Sequence, residues 1–235
     1  MEVYRQILKS KKQLAILIDP DKIKNIAELE ELLKPIEQNK PNFIFVGGSL
    51  ITNDLLEKTI VTIKEKLNVP VVLFPGNGKQ ISSKADAVLL LSLLSGRNAD
   101  YLIGQHVENS FALQQSKLEI IATGYILIES KTLTSVEYIS NTKPIPRKKT
   151  EIIVATALAG KQLGMASIYL DAGSGAKKRV PKKVITAVKK QVDLPLIVGG
   201  GIKNRKQAEK AWDAGADIVV IGTAFEKDNT LLGEF

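Results

Sequence analysis

Eight short runs of consecutive apolar residues divide the chain at fairly even spacing. They fall at 14–18 (LAILI), 42–46 (NFIFV), 70–74 (PVVLF), 86–91 (DAVLLL), 124–128 (GYILI), 166–170 (ASIYL), 195–199 (PLIVG) and 217–221 (DIVVI). The runs are continuous rather than alternating. A strand buried on both faces reads this way, and such strands belong to parallel sheets covered by helices.

Between the runs the apolar period changes to that of a helix. Residues 25–38 set Ile26, Leu29, Leu33 and Ile36 on one stripe with the glutamates elsewhere, and Pro35 is expected to kink or shorten the last turn. Residues 53–67 repeat the pattern with Leu56, Ile60, Ile63 and Leu67. Further helices are expected at 98–117, 150–163, 181–191 and 204–214, the last closed by Gly215 as a C-cap glycine. Segment 129–149 follows neither period and reads as an active-site flap or as a plain connection turning at Pro144 and Pro146.

Two echoes half a chain apart suggest an internal repeat: NVPVVLFPG (68–76) with DLPLIVGGG (193–201), and ADAVLL (85–90) with ADIVVI (216–221). Eight strand–helix units with such a repeat predict one α/β domain over residues 1–235, a closed (β/α)8 TIM barrel. An open doubly wound sheet is the alternative.

Composition narrows the chemistry. The chain has no cysteine and one histidine, His106, which excludes thiolate metal sites and any multi-histidine site within one chain. A metal here is a hard ion held by oxygen. No run is long enough to span a membrane and no cleavable signal follows the charged start, so a cytoplasmic location is expected. The net charge of +8 favours anionic partners such as phosphorylated metabolites or an anionic membrane face. Nucleic acid is not expected, because the lysines are scattered and lack interleaved aromatics.

In a parallel barrel the chemistry sits on loops leaving the C-terminal strand ends. Asp19 in LIDPDK stands at such an end, placed to anchor Mg2+ or accept a hydroxyl, or simply to open an Asx turn. Ser49 in FVGGSLIT offers a hydroxyl to a ligand or serves as an N-cap, and LFPGNGKQIS (73–82) supplies either a ligand wall or a turn. YLDAGSG (169–175), VGGGI (198–202) and VIGTAF (220–225) carry the main signal. Glycine there permits positive φ and close approach, so amide groups can converge on a phosphate, and Asp171 would orient an alcohol on the same molecule. The spacing is not that of a dinucleotide fingerprint or a P-loop. His106 in a helical stretch reads as an acid–base candidate or a partly buried histidine, and Trp212 as core or interface.

LIDPDK, FVGGS, FPG, GYILIES, YLDAGSGA, VGGGI and IGTAFE, taken together from about residue 14 to 226, resemble the geranylgeranylglyceryl phosphate synthase family, which includes the bacterial heptaprenylglyceryl phosphate synthases. The resemblance is closest to the branch with the AGSG phosphate loop. It implies a (β/α)8 barrel joining sn-glycerol 1-phosphate to a polyprenyl diphosphate, with diphosphate released and Mg2+ required. It implies Asp19 and Ser49 as Mg2+ ligands, Asp19 and Asp171 as catalytic groups, and a glycerol phosphate site of Tyr169, Leu170, Asp171, Ala172, Gly173, Ser174, Gly175, Gly200, Gly201, Gly222 and Thr223. Many members have glutamate where this chain has Asp171. LFPG and VLLLSLLSG would wall a groove for the prenyl tail, and apolar helix faces suggest a homo-oligomer. The competing readings are another phosphate-binding barrel enzyme, of the sugar-phosphate isomerase or aldolase class, and a non-enzymatic phosphometabolite-binding protein.

Overall fold

The structure, a computed structural model, describes residues 2–227 and Gly233. Eight parallel strands close on themselves in chain order: β1 (Gln13–Ile18), β2 (Phe43–Val46), β3 (Val71–Leu73), β4 (Ala87–Leu93), β5 (Glu119–Leu127), β6 (Ser167–Asp171), β7 (Leu196–Gly199) and β8 (Ile218–Ile221). The ring is completed by β1 and β8, with Gln13 opposite Ile218 and Ile16 opposite Ile221. This is the closed barrel, not the open sheet. Nine helices accompany the strands among the described residues: α1 (Glu2–Lys9), α2 (Ile26–Asn39), α3 (Leu56–Lys66), α4 (Gln105–Ser116), α5 (Ser135–Ile139), α6 (Thr150–Gln162), α7 (Lys182–Gln191), α8 (Arg205–Trp212) and α9 (Thr223–Lys227).

Strand alternation sorts each apolar run into two cores. Ala15, Phe43, Phe45, Val72, Leu89, Tyr125, Tyr169, Ile197 and Val220 fill the barrel interior. Ile16, Ile44, Val46, Leu170, Val198 and Val219 face outward against Leu29, Leu33, Ile60, Val184 and Ala208 of the surrounding helices. Both faces are therefore buried, which is why the runs show no polar alternation.

Helix α1 was not foreseen, although Val3 and Ile7 one turn apart are its signal. Both are buried with the interior cluster and close the barrel at the N-terminal strand ends. Glu119, the first residue of β5, accepts hydrogen bonds from the amides of Val3 (2.9 Å) and Tyr4 (2.8 Å), two groups with no partner inside the helix. At the same end Asp217 is buried and accepts from Lys11 (2.6 Å), Lys189 and the Leu196 amide. Those donors hold its carboxyl below the usual range against the upward push of burial.

Three further departures have local causes. Helix α2 runs on through Pro35 to Asn39, because Ile36 beyond the proline is fully buried and Asn39 caps back onto the Pro35 carbonyl. Strand β5 starts five residues before the expected run, its first half masked by Ala122, Thr123 and Gly124. The stretch expected as one helix over 98–117 is a π-helical turn, Asp100–Gly104, leading into α4.

Candidate active site

A single cavity of about 550 Å³ opens at the C-terminal ends of the strands and takes its lining from every one of the loops there. On one side lie the three glycine loops. Gly173 and Gly175 after β6, and Gly200 and Gly201 after β7, all have φ between +70° and +87°, the left-handed region where a side chain is strained. The loops are in contact with one another. A Cβ on Gly200 would stand 2.6 Å from Asp171 Oδ1 and 2.7 Å from the Gly173 amide nitrogen. The Ser174 and Thr223 hydroxyls, from the β6 and β8 loops, are 2.9 Å apart. Residues 173–175, 200–201 and 222–223 thus form one concave wall of small residues, hydroxyls and amides.

Asp171 ends β6 with its carboxylate directed into the cavity and only 7% exposed. Oδ1 accepts from the Gly173 amide at 2.8 Å, and Oδ2 accepts a short hydrogen bond from the Tyr125 hydroxyl. Burial raises its pKa above the ordinary value, while the Tyr125 and Gly173 donors pull it back. The Tyr125 phenol is pushed well above its normal range by burial and by the facing carboxylate, so at neutral pH it is a donor. Tyr125 stacks on Tyr169 (5.4 Å, 18°), and Tyr169 packs against Phe74 at 5.2 Å, giving the carboxylate a rigid aromatic floor.

Asp19 faces the same cavity from the end of β1. Its Oδ1 accepts from the Asp21 amide at 3.2 Å, and its carboxylate lies so close to Gly48 that a Cβ there would meet Oδ1 at 2.9 Å. The Lys22 ammonium sits 3.7 Å from Asp19 Oδ2 and 2.7 Å from Glu226 Oε2. Burial raises the Asp19 and Glu226 carboxyls, with Lys22 opposing the shift in both. Ser49 follows Gly48 in the same wall. The β2 and β3 loops carrying this corner are fastened by the buried amide of Gln80: Nε2 donates to Gly48 O (2.9 Å), and Oε1 accepts from the Gly48 and Gly76 amides (3.3 and 3.2 Å).

The third sector is apolar and has a topological origin. Strand β3 is three residues long and pairs with β4 only at Val72–Ala87 and Leu73–Val88. Above that point β4 continues to Leu93 paired with β5 alone. The connection 74–86 holds no helix, since Pro75, Gly76 and Gly78 and the polar residues after them supply no apolar stripe. A gap therefore opens between β3 and β4, and the cavity runs through it. Its walls there include inward-facing Leu91 and Leu93 and outward-facing Val88 and Leu90, with Ile81 and, from α4, Leu113. His106 stands in this branch with Nε2 3.0 Å from Leu91 O, away from both acids.

Most of the site residues named from the sequence meet here. Asp19, Ser49, Tyr169, Asp171, Gly173, Ser174, Gly175, Gly200, Gly201, Gly222 and Thr223 all line the cavity. Leu170 and Ala172 do not: the strand period turns Leu170 outward, and Ala172 is buried with its amide donated to Gly199 O. Segment 129–149 contributes α5, whose Ser135, Val136 and Ile139 line the mouth. Three residues were not singled out. Tyr125 and Gln80 had no local signal, because their roles depend on partners 46 and 32 positions away. Glu226 was within reach, as the acid in IGTAFE one turn after a strand-end glycine.

The chain is similar along nearly its whole length to proteins of one kind. A geranylgeranylglyceryl phosphate synthase from Flavobacterium johnsoniae is 51% identical over 97% of this chain and 95% of its own. One from Spirosoma linguale is 48% identical, covering 96% and 90%. The crystal structure of (S)-3-O-geranylgeranylglyceryl phosphate synthase from Thermoplasma acidophilum, in complex with its substrate sn-glycerol-1-phosphate, superposes with a TM-score of 0.90 at 32% identity over 99% of this chain and 93% of that one. With residues 5–234 matching its family model as well, the chain belongs to the PcrB family.

Proposed function

We propose that the chain transfers a polyprenyl group, geranylgeranyl or longer, from its diphosphate to the terminal hydroxyl of sn-glycerol 1-phosphate. The observation that carries this reading is one cavity joining a phosphate-sized wall of glycine loops, a buried carboxylate and an apolar branch through the β3–β4 gap. The glycerol phosphate of the Thermoplasma structure supports assigning that wall to the same compound here.

In this reading the β6, β7 and β8 loops bind the phosphate and hold the hydroxyl beside Asp171. The carbon–oxygen bond of the allylic diphosphate breaks, its electron pair leaving with diphosphate. The glycerol oxygen forms the new ether bond, and its proton passes to the Asp171 carboxylate, which Tyr125 and Gly173 hold in place. A weak base suffices, because the hydroxyl becomes acidic only as it bonds to the electron-poor carbon. The tail is bound in the apolar branch, and burial of ten methylenes contributes roughly 8 kcal/mol at ~0.8 each before ordering costs.

The Asp19 corner fits a Mg2+ that arrives with the diphosphate. Asp19 Oδ2 faces the Lys22 ammonium at 3.7 Å in an ion pair longer than a hydrogen bond, and Ser49 lies in the same wall. Since no group of three acids or histidines that could hold a metal occurs among the described residues, substrate oxygens would have to complete the shell. Mg2+ takes one or two carboxylates together with substrate phosphates and water. A Mg2+ held by Asp19 and Ser49 would supply neutralisation of charge on the departing diphosphate. Lys22, paired with Glu226 at 2.7 Å, lines the same corner.

The same reading makes the protein a cytoplasmic homo-oligomer. Support for association is the exposed pair Val107 and Phe111 on α4, continued by Ile103 on the π-helical turn before it. No helix among the described residues is long and apolar enough to cross a membrane. The test is incubation with glycerol phosphate, Mg2+ and prenyl diphosphates of increasing length. Ether product from the sn-1 but not the sn-3 enantiomer is expected; absence of product at every length would overturn the assignment.

A further inference from the structure

A second concavity, of about 300 Å³, adjoins the glycine loops and shares Gly201 and Lys203 with the first. Its charged lining is entirely basic: Arg147, Lys177, Lys178, Arg179, Lys182 and Lys203. None of the six is in an ion pair among the described residues, and no acid lines the concavity. Arg147 is held as part of a built wall, donating to the Glu129 and Arg179 carbonyls. Six cations gathered at one place raise the local potential and attract an anion.

The segment that supplies Arg147 also carries exposed apolar groups. Leu133, just before α5, is 68% exposed and Tyr138, within it, 74%, while Ser135, Val136 and Ile139 of the same helix line the cavity mouth. Thr134 packs against Gly173, so this apolar loop abuts the phosphate loops that border the basic concavity. These residues lie in the connections that leave the C-terminal strand ends, Tyr138 in α5 and Lys182 at the start of α7, on the face onto which the cavity opens. Segment 131–149 has five cations (Lys131, Lys143, Arg147, Lys148 and Lys149) against one acid, Glu137. Lysine and arginine around an exposed leucine and tyrosine is the composition that docks at a lipid–water interface.

We infer that this rim is a docking surface for an anionic phospholipid bilayer, with lipid phosphates in the basic concavity and Leu133 and Tyr138 in the interface. Charge complementarity selects the occupant: a second copy of this chain would bring the same six cations to face one another or leave them unmatched. Docking in this pose sets the cavity mouth against the bilayer, where an amphiphile with a long apolar tail enters and leaves without crossing water. The inference rests on the prenyl-transfer reading for that purpose only, and the experiment below measures binding apart from turnover.

The full chain is floated with vesicles of phosphatidylcholine alone and of phosphatidylcholine with phosphatidylglycerol, across a salt series. Binding to the anionic vesicles only, declining as salt rises, is expected. The triple variant Lys177→Glu, Lys178→Glu, Lys182→Glu should lower the partition coefficient about 100-fold, the equivalent of roughly 2.8 kcal/mol at 1.4 kcal/mol per decade. Its turnover on a short, soluble prenyl diphosphate should match the parent, which also shows that it folds. The Leu133→Ser, Tyr138→Ser pair should weaken binding without altering the salt dependence. Equal binding to both vesicle types, or unchanged binding by the triple variant, overturns the inference. So does suppression of vesicle binding by millimolar inorganic phosphate, which would mark a site for free anions. A loss of oligomer mass in the apolar pair variant, with no vesicle binding by the parent, would assign the face to a second copy.

Discussion

Replacing Tyr125 by phenylalanine isolates one hydrogen bond in the catalytic proposal. The ring, its stacking on Tyr169 and its contact with Phe74 are kept; only the hydroxyl donating to Asp171 Oδ2 is lost. Burial raises the Asp171 carboxyl, and the Tyr125 hydroxyl is the largest influence pulling it back, ahead of the backbone amides. A hydrogen bond to a charged group contributes about 1.5–3 kcal/mol. Because the carboxylate is enclosed, that value carries little discount for solvent. Without the bond the ionised form is less favourable, a larger fraction of Asp171 is protonated at any acidic pH, and the acid limb of the pH–rate profile moves upward. At 1.36 kcal/mol per decade, kcat/KM on that limb should fall roughly 10- to 100-fold, with a much smaller loss on the plateau. The assay is kcat/KM for prenyl transfer across the acidic and neutral range, with glycerol phosphate affinity measured separately. A profile lowered uniformly at all pH values, or a limb displaced to lower pH, would refute the claim that Tyr125 acts through ionisation of Asp171.

Three other outcomes are expected. Asp171→Asn should abolish transfer yet stabilise the protein by about 1 kcal/mol at pH 7, since it removes a buried charge. As the folded carboxyl is raised, its favourable contribution is complete below the unfolded value of about 3.9 and is lost as pH rises through the folded one. The variant's advantage in thermal melts should therefore grow with pH over that window, and equal stability at pH 7 would count against a buried charge. Gly200→Ala places a Cβ at φ +78° against Asp171 Oδ1 and the Gly173 amide, so glycerol phosphate affinity by calorimetry should drop more than tenfold, with about 1–3 kcal/mol of strain in stability. Leu113→Trp should block the apolar branch: short prenyl diphosphates stay good substrates, and the longest chain found in product by mass spectrometry becomes shorter.

The barrel was legible because each apolar run is buried on two sides, so run length and spacing encode strand count directly. The wall of glycine loops was legible for a related reason. Glycine at positive φ is a local requirement, and Gly173, Gly175, Gly200 and Gly201 announce it wherever the partner loops lie. What escaped was non-local. The donation from Tyr125 to Asp171 requires that β5 and β6 be neighbours with Tyr125 opposite Tyr169, a register no single stretch contains. The grip of Gln80 on Gly48 requires β2 and β3 to end side by side. Helix α1 escaped because it is only eight residues long with two buried positions, and Glu119 rather than a local cap satisfies its first amides.

The short β3 strand explains how one barrel accommodates incompatible surroundings. In the proposed reaction Asp171 needs an enclosed polar pocket with aligned donors, a Mg2+ at the Asp19 corner would need wet oxygen ligands, and the tail needs a dry groove. A fully paired barrel with a helix over every connection would fill its interior with side chains and leave no passage for a chain of methylenes. Ending β3 at Leu73 and omitting the helix over 74–86 frees the β3-facing edge of β4 above Val88, so the dry branch leaves the barrel sideways. Phosphate and hydroxyl chemistry stay on β6, β7 and β8, on the opposite arc of the ring. Walls such as Leu113 and Ile81 can then change to suit another tail length without disturbing the geometry at Asp171. The converse also holds: a substitution that restores β3–β4 pairing above Leu73 should remove tail binding while leaving glycerol phosphate binding intact.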